Sequence, residues 1–336
     1  MNKKHLSWLV WICVLAGILF GIAVVSLSIG SVSIPFKKAL ELLLRPDNSI
    51  EYSILVDIRL PRILLGLAIG GALSVAGVLL QGMFRNPLVE PYTLGISGGA
   101  ALGVSLNIVF GLNRFMGDMS LSVFGLAGAL LVVFLVYSFS MKRGVLEIQG
   151  ILLTGVMISF MSSALIMLIM AVSHTDDLHG IVFWVMGSLA EPDWIFIKLA
   201  LIVSLVGLLA AYFFCFDLNG LSLGEEEARH IGINVERTKK YLFFIASLLT
   251  GMSVSVAGII GFIGLVVPHF VRMFIGSDHR ILLIGSYLAG ALFLIFCDTL
   301  ARTIVAPMEL PVGVITGILG GALFIYALSK RPVALK

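Results

Sequence analysis

Few side chains in this sequence could do chemistry, and they fall into small sets. Asp298 lies in an apolar stretch with Arg302 one helical turn later, and His269 directly follows Pro268 in another. Ionisable groups inside apolar segments can relay protons. Asp298 and Arg302 can equally satisfy each other as a structural i,i+4 pair. A third set is the charged island LGEEEARHIG (223–232), where Glu225, Glu226 and Glu227 precede Arg229 and His230 between glycines. Acids suit the first turn of a helix and basic residues the last, with Gly232 as a natural stop. The island therefore predicts a helix of about two turns, too short to stand alone in water.

Catalytic constellations are otherwise missing from the sequence. No glycine-rich stretch ends in GK[ST], so there is no P-loop for ATP. HExxH is absent, the 6 histidines are scattered, and no nucleophile elbow is present, so neither a metal site nor a catalytic residue is expected. GIIGFIG (258–264) lacks the strand and the acid of a dinucleotide loop, and reads as helix packing or a break in a span. Cys13, Cys215 and Cys297 are far apart in apolar runs and read as small buried hydrophobes.

The elements that must position these residues are membrane helices. Only 12% of the chain is charged, against roughly a quarter in soluble domains, and the mean hydropathy is +1.10. A net charge of +3, spread over loops, offers no basic patch for nucleic acid. Apolar runs predict ten helices: 6–29, 63–81, 94–111, 121–140, 148–172, 194–216, 241–262, a shorter 263–275, 281–304 and 312–328. The first run exceeds the ~7–15 residues of a signal core and reads as a retained span.

Lysine and arginine set the orientation. With the N-terminus inside, the inner segments hold Lys3, Lys4, Arg85, Lys142, Arg143, Arg229, Arg237, Lys239, Lys240, Arg280, Lys330, Arg331 and Lys336. The exception is an outer cluster of Lys37, Lys38, Arg45, Arg59 and Arg62 between the first two spans. GGALSVAG (70–77) returns as GMSVSVAG (251–258) in a span of opposite direction, with Pro87 and Pro268 in the same register. Such an echo is expected of an inverted-repeat transporter.

GEEEARHIGINV, SVAGIIGFIGLVVPHFVRMFIGSDHR, RLPRILLGLAIGGALSVAGVLLQGMFRNPLVEPYTLGISGGAALG and ELPVGVITGILGGALFIYAL together resemble the permease subunit of FecCD-type ABC importers, which serve iron-siderophores, haem and cobalamin. The resemblance runs from about Val25 to Arg331. It implies an all-α integral membrane protein of about ten spans with an inverted repeat, a single permease domain over 1–336. Within it, 217–240 would be a cytoplasmic coupling-helix loop and 173–193 an outer loop with a short helix, carried by GIVFWVMGSLAEPDW (180–194).

By the same resemblance, Gly224, Glu225, Glu226, Ala228, Arg229 and Gly232 would contact two cytoplasmic ATPase subunits. Arg59, Arg62 and Arg302 would receive acidic residues of an extracytoplasmic substrate-binding protein, a task suited to the bidentate arginine fork. Register on Leu152–Gly155 puts an inner gate near Ile148 and Gln149. A second permease copy or a paralogue would complete the pathway for a metal chelate or corrinoid. No cofactor is implied, and the location would be the cytoplasmic (inner) membrane of a prokaryote. The alternative is an ion-coupled secondary transporter, which should carry several ionisable residues at mid-span; a membrane-embedded enzyme would need a catalytic cluster.

Overall fold

A computed structural model describes residues 3–330 apart from positions 31, 46, 48, 118, 143, 191 and 192. Arg143, Arg331 and Lys336, used above for orientation, lie outside the described residues, as do the side chains of Lys3 and Lys330. The fold is all-helical: α1 (Lys3–Ser28), α2 (Phe36–Leu44), α3 (Ile50–Ser53), α4 (Leu60–Phe84), α5 (Ile96–Val109), α6 (Leu112–Met116), α7 (Met119–Ser140) and α8 (Ile148–Val172). There follow α9 (Thr175–Met186), α10 (Trp194–Phe213), α11 (Cys215–Leu221), α12 (Glu225–His230), α13 (Val235–Ala257), α14 (Ile263–Ile275), α15 (His279–Ala301) and α16 (Val312–Lys330). A π-helical stretch, Ile54–Arg59, joins α3 to α4, and a two-stranded hairpin (Met141–Lys142 with Val145–Leu146) joins α7 to α8.

Among the described residues, 8 helices are long and apolar enough to cross a bilayer, and α5 and α14 are shorter apolar helices. Together they match the ten predicted runs. At 1.5 Å per residue, the 13 residues of α14 reach only about 20 Å, short of the ~30 Å hydrocarbon core.

The centre of the bundle is α4, most of which is buried. It packs antiparallel to α15 with almost no side chain between them. A methyl group on Gly70 would strike the Gly290 carbonyl oxygen, and one on Gly290 would strike that of Gly70. Gly71 receives the Tyr287 ring in the same way. Close backbone approach of this kind lets dispersion hold helices together where lipid supplies no hydrophobic drive. The cysteine expectation holds for two of three: Cys215 and Cys297 are buried, whereas Cys13 is exposed on α1, whose outward face is apolar rather than packed.

GIIGFIG is a break between spans. Gly258 (φ 69°) ends α13 and Phe262 (φ 69°) starts α14, so residues 258–262 are non-helical. Backbone polar groups at membrane depth need partners inside the protein. Here Glu90 Oε1 accepts from the Phe262 amide at 2.7 Å, while the Ile260 amide donates to the Tyr92 hydroxyl at 3.0 Å. Tyr92 in turn donates to the Ile260 carbonyl. The offset that aligns the two SVAG segments thus pairs Gly77, inside α4, with Gly258, at the end of α13.

Candidate functional site

The charged island folds as the predicted short helix, held on the end of the bundle. α10 stops at Phe213, and α11 buries Cys215, Leu218 and Leu221 against the bundle. α12 then turns on Ala228, which is fully buried. Its end is a Schellman closure: Gly232 N–H donates to the Arg229 carbonyl and Ile233 N–H to that of Ala228, both at 3.0 Å. This geometry requires the positive φ of Gly232 (90°). Asn234 caps α13 by accepting from the Arg237 amide, and Thr238 donates to Asp217 at 2.8 Å, tying α13 to α11. The stretch INVERTKKY (233–241) thus forms the entry and first turns of α13.

Charge pairing then fixes the helix. Lys239 Nζ lies 2.6 Å from Glu225 Oε1, and Arg229 lies 3.1 Å from Glu236. The six island residues named above consequently divide. Glu226, Arg229 and Gly232 face solvent, whereas Gly224 and Ala228 are buried and Glu225 turns inward to Lys239. Leu223, Glu227, His230 and Ile231 are exposed as well, Leu223 and Ile231 although apolar. Their exposure is decided by the fold, since the local sequence marks both only as apolar.

At the opposite end the three arginines are not free. Arg59 donates to the Leu27 and Val32 carbonyls, and Arg62 to Glu309 at 2.6 Å. Arg302 holds Asp298 at 2.9 Å and donates to Ser26 at 2.7 Å. The i,i+4 pair read from the sequence thus forms, and all three guanidinium groups are buried. Expected as open grips for a partner's acids, they already have partners, since an unpaired buried charge is costly. Arg62 and Arg302 nevertheless line a cavity of about 630 Å³ with Asp298, Glu309, Phe183 and Trp184. Glu309, the missing partner, lies far along the chain and gave no local signal.

The remaining residues are placed as follows. Ile148 and Gln149 open α8 directly after the hairpin, Gln149 exposed and Ile148 half-buried. The helix expected in the outer loop, α9, spans Thr175–Met186, earlier than the predicted 180–194, and ends at Gly187, where φ is positive (73°). His269 sits half-buried with its ring edge-on to Phe324 at 6.0 Å, an aromatic setting. No cluster of three or more metal-ligating side chains occurs among the described residues.

Comparison with known proteins supplies the family. The model of the FecCD transport family matches residues 15–330. The chain belongs to the FecCD transport family. It is similar to the hemin transport system permease of Yersinia pestis, 40% identical over 316 residues and covering 92% of each chain. It is also similar to the cobalamin import system permease of Halobacterium salinarum (39% identical, 82% of this chain and 73% of the other). The molybdate import system permease of Haemophilus influenzae is 36% identical, covering 91% of this chain and 94% of its own. A solved structure described as an inward-facing conformation of a metal-chelate type ABC transporter superposes with a TM-score of 0.83 at 31% identity, over 96% of this chain and all of the other. This FecCD protein is thus an all-α, multi-span ABC importer permease, and its family is one of permease subunits. The molybdate relative widens the cargo range of the family beyond the siderophores, haem and cobalamin expected above.

Proposed function

We propose that the whole chain, 1–336, is one permease domain in a prokaryotic cytoplasmic membrane. It carries a metal chelate inward, an iron-siderophore, haem or cobalamin, while two separate ATPase subunits supply the energy. The observation that carries this reading is the braced foot. α12 is clamped to α13 by Lys239 and Glu225, while Glu226, Arg229 and Gly232 remain outward. A partner pressing on that surface moves α13 as a rigid extension, and ATP binding biases which end of the pathway is open.

Two copies, or this chain and a paralogue, would enclose the pathway, with Ile148 and Gln149 at its inner end. Arg59, Arg62 and Arg302 would order the outer mouth for an acidic binding protein. Arg62 and Arg302 already line a cavity there beside Phe183 and Trp184. A carboxylate arriving from the partner would compete with Glu309 for Arg62.

Reconstitution in vesicles tests the reading. Uptake should require the ATPase pair and ATP, and should ignore a protonophore. Haem, cobalamin, a ferric siderophore and molybdate are offered in parallel. Uptake that survives without the ATPase but collapses with the protonophore establishes the ion-coupled alternative. Molybdate as the only cargo refutes the chelate assignment alone.

A further inference from the structure

α2 is amphipathic in an unusual way. Ala39 and Leu42 face inward, packing with Ile34 and Leu55 in a small core of their own. A second apolar stripe, Phe36, Leu40 and Leu44, repeats every four residues on another face. Those three side chains are 53%, 46% and 73% exposed. Lys37, Glu41 and Arg45 are exposed on the remaining arc. Lys38 there is engaged by Glu51 at 2.6 Å.

The position of α2 relative to a bilayer follows from covalent geometry. The 26 residues of α1 extend about 39 Å, so a helix crossing ~30 Å of hydrocarbon ends among the headgroups. Ile34 N–H donates to the Ser28 carbonyl at 3.0 Å, folding the chain back onto that end. Phe36, two residues on, stands within about 7 Å. Arg59 clamps the same turn through the Leu27 and Val32 carbonyls. Beside it, Val25 on α1 and Ile29 just past its end are exposed. The stripe therefore begins beside the end of a span whose exposed apolar side chains would face acyl chains.

We propose that α2 is an interfacial helix. Phe36, Leu40 and Leu44 sink into the headgroup–acyl boundary of the leaflet opposite the foot, while Lys37 and Arg45 extend their stems to the phosphates. An amphipathic helix with aromatic and leucine residues on one face and basic residues beside it suits that boundary. The assignment also accounts for the lysines and Arg45 that break the inward charge bias. They mark a lipid contact rather than an inverted span. It rests on the membrane reading of the fold, not on the cargo or the ATPase.

The test is spin-label accessibility in the full chain. It is reconstituted in phosphatidylethanolamine–phosphatidylglycerol vesicles, on a Cys13→Ser background that removes the exposed thiol. Labels at Phe36→Cys, Leu40→Cys and Leu44→Cys should collide several-fold more with dissolved oxygen than with an aqueous nickel chelate. Glu41→Cys should show the reverse. Val25→Cys on α1 is the control: oxygen-dominated contact there reports a chain inserted in the bilayer, and its loss would sink the membrane reading itself. With that control intact, nickel access at the stripe equal to that at Glu41→Cys overturns the proposal and leaves the stripe to a protein partner. Three exposed label sites guard against one variant failing to fold.

Discussion

Lys239 reaches 2.6 Å from Glu225 although the two belong to different helices, and the lysine side chain is only 5% exposed. This pair makes a two-turn helix part of a 23-residue one. Lys239→Met should loosen α12 at a cost of about 1–2 kcal/mol, between the exposed and buried limits for ion pairs. Uptake should fall while the partner ATPase continues to turn over. Joint measurement of hydrolysis and transport checks it, and the exchange Glu225→Lys with Lys239→Glu should restore part of the coupling.

Gly232 offers a cleaner probe of the same foot. A Cβ there meets nothing within 4 Å, so only its left-handed backbone (φ 90°) opposes substitution. Gly232→Val should unravel the Schellman closure, costing about 1–2 kcal/mol, and uncouple transport. Gly232→Asn, which tolerates that conformation, should retain most uptake. Equal behaviour of the two variants would refute a backbone cause.

Glu309 occupies the Arg62 guanidinium at 2.6 Å and is itself partly exposed. Glu309→Gln should therefore strengthen docking of the binding protein at low salt, and the gain should shrink as salt rises. Arg62→Ala should weaken docking and, by removing one of the two guanidinium groups beside the buried Asp298, lower thermal stability as well. Binding measured against ionic strength distinguishes the two variants. An unchanged affinity in both would remove Arg62 from the docking surface.

The contact between Gly70 and Gly290 tolerates no side chain. Gly290→Val should cost about 1–3 kcal/mol by overpacking and lower the melting temperature in detergent. Gly317, with open space at its Cβ, is the control, and its Ala variant should melt like the parent.

Asp278 caps α15 in the turn after α14 and accepts from Arg280, Asn219 and Lys4. The Arg280 hydrogen bond leads in holding its carboxyl well below the usual 3.8. A depressed folded value means that the stabilisation is complete above the unfolded pKa and is lost as pH falls through the folded one. Asp278→Asn should thus cost about 1–3 kcal/mol at neutral pH. The gap to the parent should narrow only below pH ~4. Melting curves at pH 7 and pH 3 report the difference.

The span positions, the break at GIIGFIG, the Asp298–Arg302 pair and the short helix at EEEARH were legible in the amino-acid order. Each depends on nearest neighbours: run length, a glycine's freedom, an i,i+4 spacing, charges at a helix end. Tertiary structure alone decided what those elements touch. Glu90 and Tyr92 satisfy a break some 170 residues away, as their bonds to Phe262 (|i−j| 172) and Ile260 (168) record. Glu309 claims Arg62 across 247 positions, and the buried Lys239 engages Glu225 from another helix. No local pattern encodes such choices, because desolvated charges and broken backbone must find partners wherever packing brings them.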